Sequence, residues 1–300
     1  MKHISYLIIC FFFLLFIGLI GLIPFRVMYI VSDALAWMLR VVFRYRLDVV
    51  RKNLEITGVT GDPNQSNKLV RDIYKNLSDI LLEGFKSFTM SRKSVVKRHK
   101  VLNPELVNDF YKNGQSIILV TGHIGNWEWG SLSAGLQCDY PIVGFYKPLK
   151  NKYINKFVRW SRARSGTYLA PIKETSLTFE TFRNTPSMYL MAADQNPSKE
   201  TQVHWCKFFN RDTAFLHGPA RHAINNQFPV VFADISRVKR GRYELVISTL
   251  VDKPQLHKAE EITQLYASKL EQIITSRPSS WLWTHKRWKR EKPTADQPSN

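Results

Sequence analysis

Cysteine is scarce: Cys10, Cys138 and Cys206 are an odd number at wide spacing, with no C-x-x-C pair. That excludes a disulfide framework and a thiolate zinc site, and it points to a reducing, intracellular setting for the folded part. Glycine and proline, 14 of each in 300 residues, are too few for a collagen-like or linker-dominated chain. A hydrophobic share of 44% beside 22% charged residues is not that of a disordered one. Negative charge is in short supply. Aspartate and glutamate number 24 against 43 lysines and arginines, a formal net charge of +19. The folded surface therefore carries a positive field and predicts anionic partners: nucleic acid, anionic lipid headgroups, phosphorylated glycolipids or an acidic carrier protein. Internal repeats and a G-x-S-x-G nucleophile elbow are also absent.

Charge is missing altogether from Ile4 to Phe25, a run dense in Phe, Leu and Ile that as a helix can cross roughly 30 Å of hydrocarbon. A cleaved leader has a shorter apolar core and a small-x-small cleavage site, whereas this run ends in Ile23-Pro24-Phe25-Arg26. Residues 1–26 are therefore expected to be a single-pass membrane anchor. Arg26, Arg40, Arg44, Arg46, Arg51 and Lys52 follow it, so the positive-inside rule puts the carboxyl-terminal part in the cytoplasm. The stretch from Val27 to Phe43, interrupted by Asp33 and Arg40, reads as an interfacial or core helix.

The length suits one catalytic domain over residues 27–292, with residues 293–300 as a disordered polar tail. Residues 57–67 read as a polar loop. After it Leu69, Ile73, Leu77, Ile80, Leu81, Phe85 and Phe88 recur at three- and four-residue spacing, one buried face of a helix. Strand-length apolar runs then alternate with helix-compatible segments. The strands expected are Ser116–Val120, Tyr140–Tyr146, Ser187–Ala192, Phe228–Ile235 and Tyr243–Leu250, with a late helix over Ala259–Ile274. This pattern predicts an α/β fold, a central mixed sheet flanked by helices.

The most informative segment is Thr121-Gly122-His123-Ile124-Gly125-Asn126-Trp127-Glu128. A buried strand ends at Thr121, two glycines permit close backbone approach, and a helix starts near Asn126. His123 thus sits at a strand's carboxyl end, where open α/β sheets place their ligand crevice. The turn can fold the Glu128 carboxylate back onto the imidazole, giving a base and its orienter. With no other nucleophile in view, direct attack by a substrate hydroxyl is favoured over a covalent enzyme intermediate. His204 with Cys206, and His217 with His222, lack further ligands at useful spacing, and no metal site is expected. Trp281, Trp283 and Trp288, interleaved with His285, Lys286, Arg287, Lys289 and Arg290, fit a nucleic-acid surface or an interfacial membrane segment. The amino-terminal anchor favours lipid.

From about residue 5 to 290 the chain resembles the bacterial lipid A biosynthesis acyltransferases, the lauroyl/myristoyl late-acyltransferase branch of the glycerolipid acyltransferase superfamily. His123 and Glu128 match its H-x4-[DE] motif. The segment Gly144 to Lys152, leading to Arg162-Ala163-Arg164, resembles a second block, with Lys147 where arginine is usual. Asp194-Gln195-Asn196, followed by Lys207 to Ala214, resembles a third, with Asn210 where glycine is usual. Pro278 to Trp288 resembles the closing signature.

The resemblance implies acyl transfer from an acyl carrier protein thioester to a hydroxyl of a lipid A precursor, at the cytoplasmic face of the inner membrane. His123 and Glu128 would be catalytic, and Asn126, Lys147, Asn151, Arg162, Arg164, Asp194 and Gln195 would bind substrate. The expected partners are acyl carrier protein, an anionic glycolipid and inner-membrane lipids, with no cofactor and no nucleic acid. Another lipid acceptor stays open, as does a membrane-tethered binding protein without chemistry. Either arginine could stabilise developing charge, hold a phosphate or simply face solvent. Asp194 could bind substrate, order the site or cap a turn. Trp127, Trp129, Phe145 and Tyr146 could line an acyl slot or pack as core.

Overall fold

The computed structural model describes residues 2–199 and 202–293. Helices α1 (Lys2–Leu22) and α2 (Phe25–Trp37, continuing into a π-helical turn at Met38–Val42) open the chain, followed by α3 (Leu47–Thr57), α4 (Pro63–Ser87) and α5 (Arg92–Arg98). Next come β1 (His99–Val101), α6 (Glu105–Lys112), β2 (Ile117–Thr121), α7 (Trp127–Gln137), β3 (Ile142–Tyr146), α8 (Lys152–Ala163), β4 (Thr167–Pro171), α9 (Thr175–Thr181) and β5 (Met188–Ala192). The chain closes with β6 (Val203–Phe208), β7 (Arg211–Leu216), α10 (Gly218–Asn226), β8 (Val230–Lys239), β9 (Arg242–Val251) and α11 (Ala259–Ser276). All but the first residue of the expected tail lies outside the described residues.

Seven strands form one mixed sheet in the order β1-β9-β8-β2-β5-β3-β4, and β6 with β7 makes a separate antiparallel hairpin. Only β8 and β9 pair antiparallel within the large sheet. The architecture is the expected α/β fold with helices on both sheet faces. Strand β2 shows why its run is apolar throughout. Ile118 and Val120 enter the core beneath α4, α10 and α11, while Ile117 and Leu119 enter the opposite core with Val107 of α6 and Trp129 of α7.

Several expectations are corrected by the packing. The loop before α4 is shorter than residues 57–67, because Asp62 caps the helix from Asn64 N–H at 3.0 Å and Pro63 fits its first turn. Leu81 of the expected buried face is exposed, while Asp79, Glu83 and Lys86 on α4 are buried. These three serve as anchoring points. Asp79 accepts from Ser32 at 2.6 Å, and from Arg237 and Arg240 on the other side. Glu83 accepts from the Tyr29 hydroxyl at 2.7 Å, the Tyr243 hydroxyl at 2.8 Å and Asn126 Nδ2 at 2.6 Å. Helix α2 is thereby bound into the domain as a satisfied polar network.

The tryptophan-rich closing segment is likewise not a membrane surface. Trp281 and Trp283 are buried, Trp283 completely. The indole of Trp288 donates to Thr213 at 2.9 Å and its ring stacks on Phe208. Asn53 Nδ2 holds the segment by donating to the carbonyls of Trp283 and His285 at 2.8 and 2.9 Å. These tryptophans fill space between α4 and the β6–β7 hairpin. Trp283→Ala is expected to behave as a core truncation, lowering stability by about 3–5 kcal/mol while leaving the wild-type affinity for anionic vesicles unchanged. Chemical denaturation in detergent together with vesicle flotation checks this, and weakened flotation at full stability would contradict it.

Candidate active site

Strands β2 and β5 are adjacent and parallel, with Thr121 opposite Ala192 in register. The loops that follow therefore leave the sheet side by side, and His123 and Asp194, each two residues on, come together. The His123 backbone N–H donates to Asp194 Oδ2 at 2.8 Å, and His123 Nδ1 lies 2.5 Å from Oδ1. The Trp281 indole donates to the same Oδ2 at 2.9 Å. Asp194 is thus buried with both oxygens engaged. Gln195 Nε2 lies 3.1 Å from His123 Nε2, so the ring is flanked on both nitrogens. When neutral, the imidazole carries its proton on Nδ1 facing Asp194 and offers the Nε2 lone pair to the Gln195 amide.

The electrostatics follow from this geometry. Burial disfavours the imidazolium, but the charge and hydrogen bond of Asp194 outweigh it, Glu128 adds to the effect, and the pKa of His123 is raised. Burial also disfavours the Asp194 carboxylate, yet His123 and the two N–H donors pull its pKa down to about 2. His285 lies on the same side. Burial lowers its pKa to about 4, and its Nε2 accepts from the Asn196 backbone N–H at 2.8 Å, so it stays neutral.

The turn carrying His123 is shaped by its neighbours. Gly125 has φ +55°, and a Cβ there would sit 2.8 Å from both the Ile235 carbonyl oxygen and its Cγ2. The Gly125 N–H donates to Ser280 O at 3.0 Å, which ties the turn to the closing segment. Asn126 then caps α7, its Oδ1 accepting from Trp129 N–H at 2.9 Å, and its other end rests on Glu83. It is fully buried and holds the helix rather than facing a crevice.

The expectation that Glu128 folds onto the imidazole is corrected: its carboxylate pairs with Arg162, and Asp194 takes the place on Nδ1. Arg162 also donates to the Glu128 carbonyl at 2.9 Å and to the Ser131 hydroxyl, clamping α8 to the start of α7. Arg164 donates to Phe88 O at 2.8 Å and lies over the Trp160 ring, so both guanidiniums are engaged by protein groups. Asn151 caps α8 from Tyr153 N–H at 3.0 Å and donates to Tyr6 O at 2.8 Å. Lys147 is exposed at the end of β3. Trp129 and Phe145 belong to the core, Phe145 stacked with Phe179 and Tyr189. Trp127 packs its ring edge-on against His123 with centroids 5.1 Å apart. Beside it lies a gap of about 10 Å³ between α4 and the closing segment, lined by Ile80, Trp127 and Trp281 together with Asn76 and Thr284, too small for an acyl chain.

One contributor escapes sequence reasoning. Arg287 is buried, with its guanidinium carbon 4.1 Å above the Phe215 ring and no hydrogen-bond partner for any of its nitrogens among the described residues. Burial lowers its pKa to about 10, Asp194 opposing, which leaves it charged behind the His123–Asp194 pair. In the sequence it is one cation among several.

Residues 1–290 match the sequence profile of the family described as bacterial lipid A biosynthesis acyltransferase. The chain belongs to that family. It is also 22% identical to the lipid A biosynthesis lauroyltransferase of Escherichia coli (strain K12) over 277 residues, covering 91% of this chain and 90% of that protein. The chain is therefore an acyltransferase of lipid A biosynthesis, which displaces the reading as a binding protein without chemistry.

Gly125→Ala tests how the turn sets the site. The added methyl must take a left-handed backbone and displace Ile235, an expected loss of about 1–3 kcal/mol with a large fall in acyl transfer by the protein that still folds. Activity and midpoint both near wild type would show that the turn tolerates another conformation.

Proposed function

We propose that this acyltransferase moves a fatty acyl group from an acyl carrier protein thioester to the hydroxyl of a 3-hydroxyacyl chain on a lipid A precursor, at the cytoplasmic face of the inner membrane. The observation that carries the mechanism is the imidazole held at Nδ1 by buried Asp194, with Nε2 meeting the Gln195 amide, at the carboxyl ends of β2 and β5. The acceptor hydroxyl displaces the Gln195 amide from Nε2 and gives up its proton there as its oxygen attacks the thioester carbonyl. Asp194 stabilises the imidazolium that forms. Collapse of the tetrahedral intermediate breaks the C–S bond, and the proton passes from Nε2 to the departing thiolate, leaving an ester and a free thiol. A thioester is already electrophilic, so this route needs no metal.

Other features support the same reading. A net charge of +19 attracts both an acidic carrier protein and a phosphorylated glycolipid. Glu128 acts through charge and architecture: it favours the imidazolium from a distance and anchors Arg162, which keeps α8 against α7.

His123→Ala should lower transfer from the carrier thioester by about 10²- to 10⁴-fold in a folded protein. Asp194→Asn should fall nearly as far, and Glu128→Gln should lose less than either. A Glu128→Gln loss equal to that of His123→Ala, with Asp194→Asn near wild type, would return the orienting role to Glu128. Mass spectrometry of lipid A from a deletion strain should show molecules short of one secondary acyl chain. Unchanged lipid A would mean that the acceptor is another lipid.

A further inference from the structure

Helix α1 has the length and apolarity of a membrane span, yet the catalytic body grips it at both ends. At its start the His3 ring lies 2.7 Å from Lys152 Nζ and 2.9 Å from the Tyr153 hydroxyl, and Asn151 Nδ2 donates to Tyr6 O. In its middle Phe13 meets Phe88 and Phe157 edge-on, and Phe16 meets Phe85. At its end Lys86 Nζ donates to the carbonyls of Ile20, Gly21 and Ile23 at 2.8, 2.7 and 2.6 Å. Gly21 is close enough to the body that a Cβ would lie 2.7 Å from Thr89 Cγ2. The opposite side of α1 is bare, with Ile4, Ile8, Phe11, Phe12, Leu19 and Leu22 exposed.

A helix of this length crossing a bilayer puts its ends on opposite surfaces, roughly 30 Å apart. The body that touches both ends would have to cross with it. Helix α8, against the first half of α1, carries exposed Lys156 and Arg159, which hydrocarbon does not tolerate without partners or water. Helix α2 shows a second bare apolar stripe, Val27, Ile30, Val31 and Trp37, continuing to Val41 and Val42. It is fixed to the same body through Ser32–Asp79, Tyr29–Glu83 and the ion pair of Asp33 with Arg240. Exposed cations lie on the elements around these apolar faces: Arg26 in the first turn of α2, Arg92 and Lys93 at the start of α5, Lys156 and Arg159 on α8. An apolar face rimmed by lysine and arginine is the pattern of a helix lying in the headgroup and upper acyl region of an anionic leaflet.

We infer that α1 and α2 form a one-sided docking surface for a single phospholipid leaflet, and that α1 lies along the membrane with the amino terminus on the same side as the catalytic domain. The surface commits to lipid as its occupant, and the inference rests on the reading above only in taking the protein to work at a membrane. It replaces the crossing helix with one that immerses the domain's edge in the leaflet that supplies a lipid acceptor. Helix α8, clamped by Arg162 to the helix that follows His123, then lies at the membrane surface.

The test uses the full chain in its own membranes. One variant carries a cysteine appended ahead of Met1 and another a cysteine appended after Asn300. Intact spheroplasts are treated with a membrane-impermeant maleimide before and after permeabilisation, and acyl transfer is assayed in the same membranes. Protection of both termini until permeabilisation is the expected result. Labelling of the amino-terminal cysteine alone in intact spheroplasts would restore the single-pass helix and overturn the inference. Labelling of both would support the one-sided surface while refuting the cytoplasmic placement of the enzyme, so the two readings fail separately. In a third variant, His3→Cys with Tyr153→Cys, a short bis-maleimide should give an intrachain cross-link in membranes. Its absence, with both cysteines reactive, would show that α1 stands away from the body and would overturn the docked arrangement.

Discussion

The site depends on one hydrogen-bonded pair joined across two neighbouring strands: His123 on the loop after β2 and Asp194 on the loop after β5. Because the strands are parallel and in register, the sheet itself sets the distance between the two loops. The double contact, backbone N–H to one carboxylate oxygen and ring to the other, fixes both the position and the tautomer of the imidazole. A carboxylate that is buried and held near pKa 2 remains charged at any working pH, so the imidazole it faces is a stronger base than one in water.

Much of the rest of the molecule keeps that pair in place. The closing segment supplies the Trp281 indole to Asp194 and the Ser280 carbonyl to Gly125, and is itself held by Asn53. From the other side Glu83, raised in pKa by its burial, accepts from Asn126 at the start of α7 and from Tyr29 of α2. One buried carboxylate therefore connects α2 to the helix that begins beside the His123 turn. Removing it would strand three donors at once, a cost typical of broken buried networks.

What the sequence made legible was the part written locally. The apolar runs of β2, β3, β5, β8 and β9, the periodic face of α4 and the glycine-flanked His123 at a strand end are patterns within a few residues of one another. Strands β1 and β4 lie at the sheet edges, and β6 and β7 mix polar and apolar residues without a clean alternation, so they carry weak signals. The partner of His123 was misread because proximity in sequence favoured Glu128, five residues away, over Asp194, 71 residues away. Only the strand order, β5 inserted between β2 and β3, brings Asp194 beside the ring. The tryptophans of the closing segment were misread for a related reason: alternation with cations describes a membrane surface and a segment threaded into the core equally well, and burial decides between them.

The central claim is that Asp194 sets the protonation of the catalytic imidazole. Labelling histidine ring carbons and following the His123 signal, identified by its loss in His123→Ala, against pH tests this directly. In the wild-type protein the midpoint should lie above that of an ordinary histidine. In Asp194→Asn the counter-charge is gone while the burial remains, so the midpoint should move to lower pH and fall below the ordinary value. A midpoint that is unchanged in Asp194→Asn but falls in Glu128→Gln would contradict the account and make Glu128 the group that governs the ring.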